Sequence, residues 1–78
     1  MSLKRTKEVN KQMSILEGVK VFFEELQNSR QQSYDNKSEK WQESDKGSDE
    51  ADNISSIEDI VSELDAAFNS IDSLFEEE

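Results

Sequence analysis

The chain has no histidine, no cysteine and no proline. Lack of histidine removes the commonest general base near neutral pH and the commonest zinc ligand. Lack of cysteine removes disulfides, thiolate metal sites and the strongest side-chain nucleophile. With no proline and only Gly18 and Gly47 as glycines, there is little of the turn chemistry that a β-rich fold needs. Apolar content is also low, with 32% hydrophobic residues and a mean hydropathy of −0.93. At 78 residues the chain makes one small domain, whose core contributes only about 3–5 kcal/mol. No apolar run approaches the roughly 20 residues of a membrane span, and no signal peptide is recognisable. A cytoplasmic protein with no membrane association is expected.

Positive charge is missing from one half. Residues 1–42 hold eight basic and six acidic side chains, whereas residues 43–78 hold thirteen acidic ones against Lys46 alone. The two halves carry +2 and −12, which sum to the net charge of −10. Such a C-terminal half repels nucleic acid and suits a basic protein partner or plain solubility.

What the chain does have is a helical period. From residue 53 onward, Ile54, Ile57, Ile60, Val61, Leu64, Ala67, Phe68, Ile71, Leu74 and Phe75 follow steps of three, three and one, repeated. That places Ile54, Val61, Phe68 and Phe75 on one heptad row, Ile57, Leu64 and Ile71 on the next, and Ile60, Ala67 and Leu74 beside them. The opposite face carries Glu58, Asp59, Glu63, Asp65 and Asp72 and no basic residue. The same pattern occurs earlier, where Ile15, Leu16 and Val19 are repeated seven residues on by Phe22, Phe23 and Leu26. The Phe22–Phe23 pair at this spacing reads as core rather than as an aromatic binding box. Beyond Leu26 the stripe turns polar, and Tyr34 and Trp41 carry it on.

The expected fold is all-α, an antiparallel two-helix hairpin with helices at about 4–43 and 53–76. Residues 1–8 are expected to fray, and residues 44–52 to form an acidic inter-helix loop with Gly47 ending the first helix. That loop does not fit a calcium-binding EF-hand, because counting back from Glu58 as the twelfth position puts Ala51 where a ligand is needed. Bending at residues 47–48 sets Trp41 against Ile54, Tyr34 against Val61, and Phe22 and Phe23 against Leu74 and Phe75. Ile15, Leu16 and Val19 then overhang the partner helix, and the stripes are wider than one seam requires. Both points suggest a homodimer forming a four-helix bundle. Its core and interface are expected at Ile15, Leu16, Val19, Phe22, Phe23, Leu26, Trp41, Ile57, Val61, Leu64, Phe68, Ile71 and Phe75.

Catalytic chemistry finds no footing. The carboxylates sit on outward faces where water solvates them, and a di-iron bundle needs inward Glu with Glu-x-x-His pairs that a histidine-free chain cannot supply. No catalytic residue, metal or cofactor is expected. The stretch Ser38-Glu39-Lys40-Trp41-Gln42-Glu43-Ser44-Asp45-Lys46-Gly47 resembles a segment, S-E-K-W-Q-E-S-[ED]-K-G, of small uncharacterised helical-hairpin proteins from phages and bacteria. The resemblance implies that this segment closes a first helix before an acidic second one, and it brings no catalytic residue. It covers about ten residues, and Ser48-Asp49-Glu50-Ala51 departs from the helical continuation it implies. Trp41 beside the bend reads as a cap on the open end of the bundle or as a partner anchor.

Two functions follow as expectations. One is an interaction protein that self-associates and presents Glu58, Asp59, Glu63, Asp65 and Asp72 to a basic host protein. The other is a phage-type DNA mimic, whose carboxylates stand in for phosphates spaced about 1.7 Å along a duplex axis.

Overall fold

The computed structural model describes residues 3–76, and of Glu76 the backbone only. Nearly all of that chain is helical, in agreement with the all-α expectation. Helix α1 spans Lys7–Asp35, α2 is the short Glu39–Glu43, and α3 spans Asp45–Leu74. Helices α1 and α3 lie side by side and run in opposite directions, as ion pairs Arg5–Asp72, Lys20–Asp65 and Arg30–Glu50 show in turn. The molecule measures 56 × 19 × 12 Å. Its thinnest dimension is about that of a single helix with its side chains, so the two long helices form one layer without an interior.

Hydroxyl caps set the helix starts. Thr6 Oγ1 accepts from the Val9 N–H at 3.2 Å, Ser38 Oγ from the Trp41 N–H at 3.2 Å, and Ser44 Oγ from the Gly47 N–H at 3.3 Å. Each is an N-cap accepting from the third helical residue, which satisfies one donor that the first turn leaves free. Capping corrects three boundaries. The first helix does not run from 4 to 43: Asp35 and Asn36 favour local side-chain bonding over helix, and Ser38 begins a new element. The segment expected to close the first helix is a helix of its own, bounded by two capping serines. Residues 44–52 are not a loop, because Ser44 starts α3 eight residues before the expected second helix at 53. Gly47 sits buried in the first turn of α3 and has no left-handed backbone, so it does not end a helix.

The N-terminal segment is tied down rather than frayed. Leu3–Lys4 (β1) pairs in parallel with Phe75–Glu76 (β2), Leu3 opposite Phe75. Arg5 lies behind this pair, its Nη2 donating to Asp72 Oδ1 at 2.6 Å and to the Phe75 carbonyl at 2.9 Å. It thereby serves carbonyls that the end of α3 leaves unpaired. Met1 and Ser2, which the expected frayed segment included, lie outside the described residues.

The inter-helix register differs from the expected one. Pairing Lys20 with Asp65 and Arg30 with Glu50 slides α3 along α1, so that Met13 shares a groove with Ile71 and Phe75. Ile15, Leu16 and Val19 therefore overhang nothing. The slide follows from the corner: turning at residues 36–44 instead of 47–48 brings eight further residues, 45–52, into the returning helix.

Gly18 has open space around it, and a Cβ added there meets no atom within 4 Å. Gly18→Ala is therefore expected to stabilise the fold by about 0.5–1 kcal/mol, through α1 propensity alone. For a domain of this size that corresponds to a rise of several degrees in thermal midpoint, read by circular dichroism. A lower midpoint would show that the site is crowded.

Candidate interaction surfaces

The seam between α1 and α3 is narrow. On α3, Ile54 is buried and Ile57, Val61, Leu64, Phe68 and Ile71 are half-buried, as is Phe75 just beyond its end, the two rows expected from the period. On α1 the enclosed row is Met13, Leu16, Lys20, Phe23 and Gln27, spaced alternately by three and four, with Tyr34 one heptad further on. Of the residues expected at an interface, Leu16, Phe23, Leu26 and Trp41 are half-buried, whereas Ile15, Val19 and Phe22 stand 52%, 39% and 60% exposed. Sequence reasoning passed over Met13 and Lys20. Their signal was the heptad repeat Met13, Lys20, Gln27, Tyr34, which the apolar count obscured because two members are polar.

Lys20 occupies a core position through its partner. Its Nζ donates to Asp65 Oδ1 at 2.8 Å, and its stem crosses the seam with the ammonium at the edge. The hydrogen bond to Asp65, opposed by partial burial and helped by the charges of Asp65, Glu24 and Glu17, holds the ammonium above its ordinary pKa.

Two grooves open along one side of the layer. At the corner, a groove of about 330 Å³ is lined by Ser33, Tyr34, Lys37, Trp41, Lys46, Asp49, Glu50 and Asn53. Trp41 meets Tyr34 edge-on at 6.1 Å, and Lys37 Nζ stands 5.2 Å from the indole centre. Gln42 Nε2 donates to the Tyr34 carbonyl at 2.9 Å and to that of Lys37 at 3.3 Å, which fixes α2 against the end of α1. Trp41 thus lies at the corner, where it is half-buried. At the other end, an open groove of about 290 Å³ is lined by Glu8, Val9, Gln12, Met13, Ile71 and Phe75.

These grooves orient the two outer rows. On α1, Glu8, Gln12, Ile15, Val19, Phe22, Leu26, Ser29 and Ser33 form a single row at helical spacing. On α3, the row is Lys46, Asp49, Asn53, Ser56, Ile60, Glu63, Ala67, Ser70 and Leu74. Ser33 from the first and Lys46, Asp49 and Asn53 from the second line the same groove, so both rows share one side. From residue 12 to residue 33 the α1 row has no charge, and from 53 to 74 the α3 row has only Glu63. Ile60 and Leu74 are 37% and 45% exposed there. This side is nearly uncharged, and its exposed apolar residues Ile15, Val19, Phe22, Ile60 and Leu74 are set among serine, asparagine and glutamine.

The other side holds Glu17 and Glu24 from α1 and Glu58, Asp65 and Asp72 from α3. The expected acidic set is thereby divided. By helical period Glu58, Asp65 and Asp72 share one row, Asp59 falls on the outer crest of α3, and Glu63 falls on the nearly uncharged side. Asp65 and Asp72 are also neutralised by Lys20 and Arg5, which spoils an unbroken phosphate-like row. Among the described residues no three carboxylates converge as a metal site, and no helix is long and apolar enough to cross a membrane. Comparison with family models, curated proteins and solved structures gave no match.

Proposed function

We propose that this chain is a non-enzymatic helical protein of the cytoplasm that works through protein–protein contact. It associates with a second copy of itself into a four-helix bundle and turns its carboxylate-rich side towards a basic protein partner. The observation that carries this reading is the two-sidedness of the helix layer. A single layer 12 Å thick shields each apolar stripe on one edge only, and Ile15, Val19, Phe22, Ile60 and Leu74 remain in water. Isolated apolar side chains at a surface are ordinary, but a contiguous patch spread over two helices marks a contact surface.

Sedimentation velocity across a range of concentrations tests it. A species of twice the 9.0 kDa chain mass, forming as concentration rises, is expected. A chain that sediments as a monomer throughout overturns the self-association reading.

A further inference from the structure

We infer that the occupant of the uncharged side is the same side of a second copy, docked about a two-fold axis that runs along the helices. The inference rests on the association proposed above and specifies its surface. Charge selects the occupant. Two chains of net charge −10 repel one another, and contact through the side bearing Glu58, Asp65 and Asp72 brings like charges together. Only the side between Gln12 and Ser33 on α1 and between Asn53 and Leu74 on α3 lets two copies approach with a single carboxylate, Glu63, from each. A basic partner gains nothing from that side, since it offers no further carboxylates to pair with.

Level selects the axis. The Lys20–Asp65 ion pair sets Val19 and Phe22 of α1 beside the stretch of α3 that carries Ile60 and Ala67. An axis along the layer lays α1 of one copy on α3 of the other at an unchanged level. The outer row of α1 then meets the outer row of α3 in both places at once, with Val19 and Phe22 against the stretch of Ile60, Glu63 and Ala67, the self-complementarity that an isologous contact demands. The uncharged stretch, about 32 Å of helix by 19 Å, outlines about 600 Å², the lower end of what a specific interface takes from each partner.

Phe22→Glu and Ile60→Glu test the face from each helix, and Val21→Glu is the control. Val21 is 44% exposed and lies in the row of Glu17 and Glu24, away from the proposed contact. Both face variants are expected to keep their helical circular dichroism and to raise the dimer dissociation constant by about 30-fold or more, as charging a buried interface centre does. The control is expected to dimerise like the unmodified chain. Dissociation by Val21→Glu with none by Phe22→Glu overturns the inference while leaving self-association standing on another face. A face variant that loses its helices is replaced by Phe22→Ser and Ile60→Ser under the same criterion. An unmodified chain that never dimerises overturns both the inference and the association it rests on, and assigns the uncharged side to a different protein.

Discussion

Gly47→Ala is expected to lower stability by about 3 kcal/mol or more, with a fall of over 10 °C in thermal midpoint. Gly47 is buried where the first turn of α3 leaves α2, and a Cβ there overlaps the carbonyl oxygens of Trp41 and Gln42. Those are backbone atoms, so no rotamer change relieves the collision. The Trp41 carbonyl is also occupied, since Ser44 Oγ donates to it while accepting from the Gly47 N–H. Moving that carbonyl breaks the cap along with the packing. A loss of this size approaches the whole of what so small a core supplies. The contrast with Gly18→Ala makes the test sharp, because helix propensity favours alanine at both sites and only sterics separate them. Equal thermal shifts for the two variants, measured by circular dichroism, would refute the packing assigned to the corner.

The second large effect is expected at Ile54. It and Met13 are the two buried apolar side chains among the described residues, each 6% exposed. Ile54→Ala is expected to cost about 2–5 kcal/mol, the range for removing a branched side chain from an enclosed site, and Ile54→Val about 0.5–1.5 kcal/mol. Phe22→Ala, at a side chain 60% exposed, should cost the isolated chain far less although it removes more atoms. Chemical denaturation at low protein concentration, where association does not contribute, measures all three. A ranking that puts Phe22→Ala above Ile54→Ala would mean that the seam lies elsewhere on α3.

How much of this was legible in the residues differs between the two long helices. On α3 the steps of three, three and one leave little choice, and Ile54, Ile57, Val61, Leu64, Phe68 and Ile71 face α1 as their period requires. On α1 the apolar stripe is three positions wide, so periodicity alone does not say which edge becomes the seam. Met13 and Lys20 decide it, and Lys20 was hidden because its place in the row depends on Asp65, forty-five residues away. The corner was misread for a different reason. Serine, aspartate and glycine between residues 44 and 52 have loop-like composition, yet the same serine chemistry starts helices when the third residue on can donate to it. The misplaced corner then shifted the register and produced an overhang that the structure does not contain. The two-sidedness of the layer was out of reach without that register, because it depends on which outer rows face the same way.

The crowding of Trp41 has an optical consequence. It is the one tryptophan and Tyr34 the one tyrosine, and they meet at 6.1 Å, well within range for excitation of the phenol to pass to the indole. Lys37 stands over the indole at 5.2 Å, where its charge shifts the emission. Fluorescence from this chain therefore reports the opening of the corner, while the uncharged side, whose aromatic ring is a phenylalanine, stays dark. The two events can be followed separately in one sample, by light at the corner and by mass for the association.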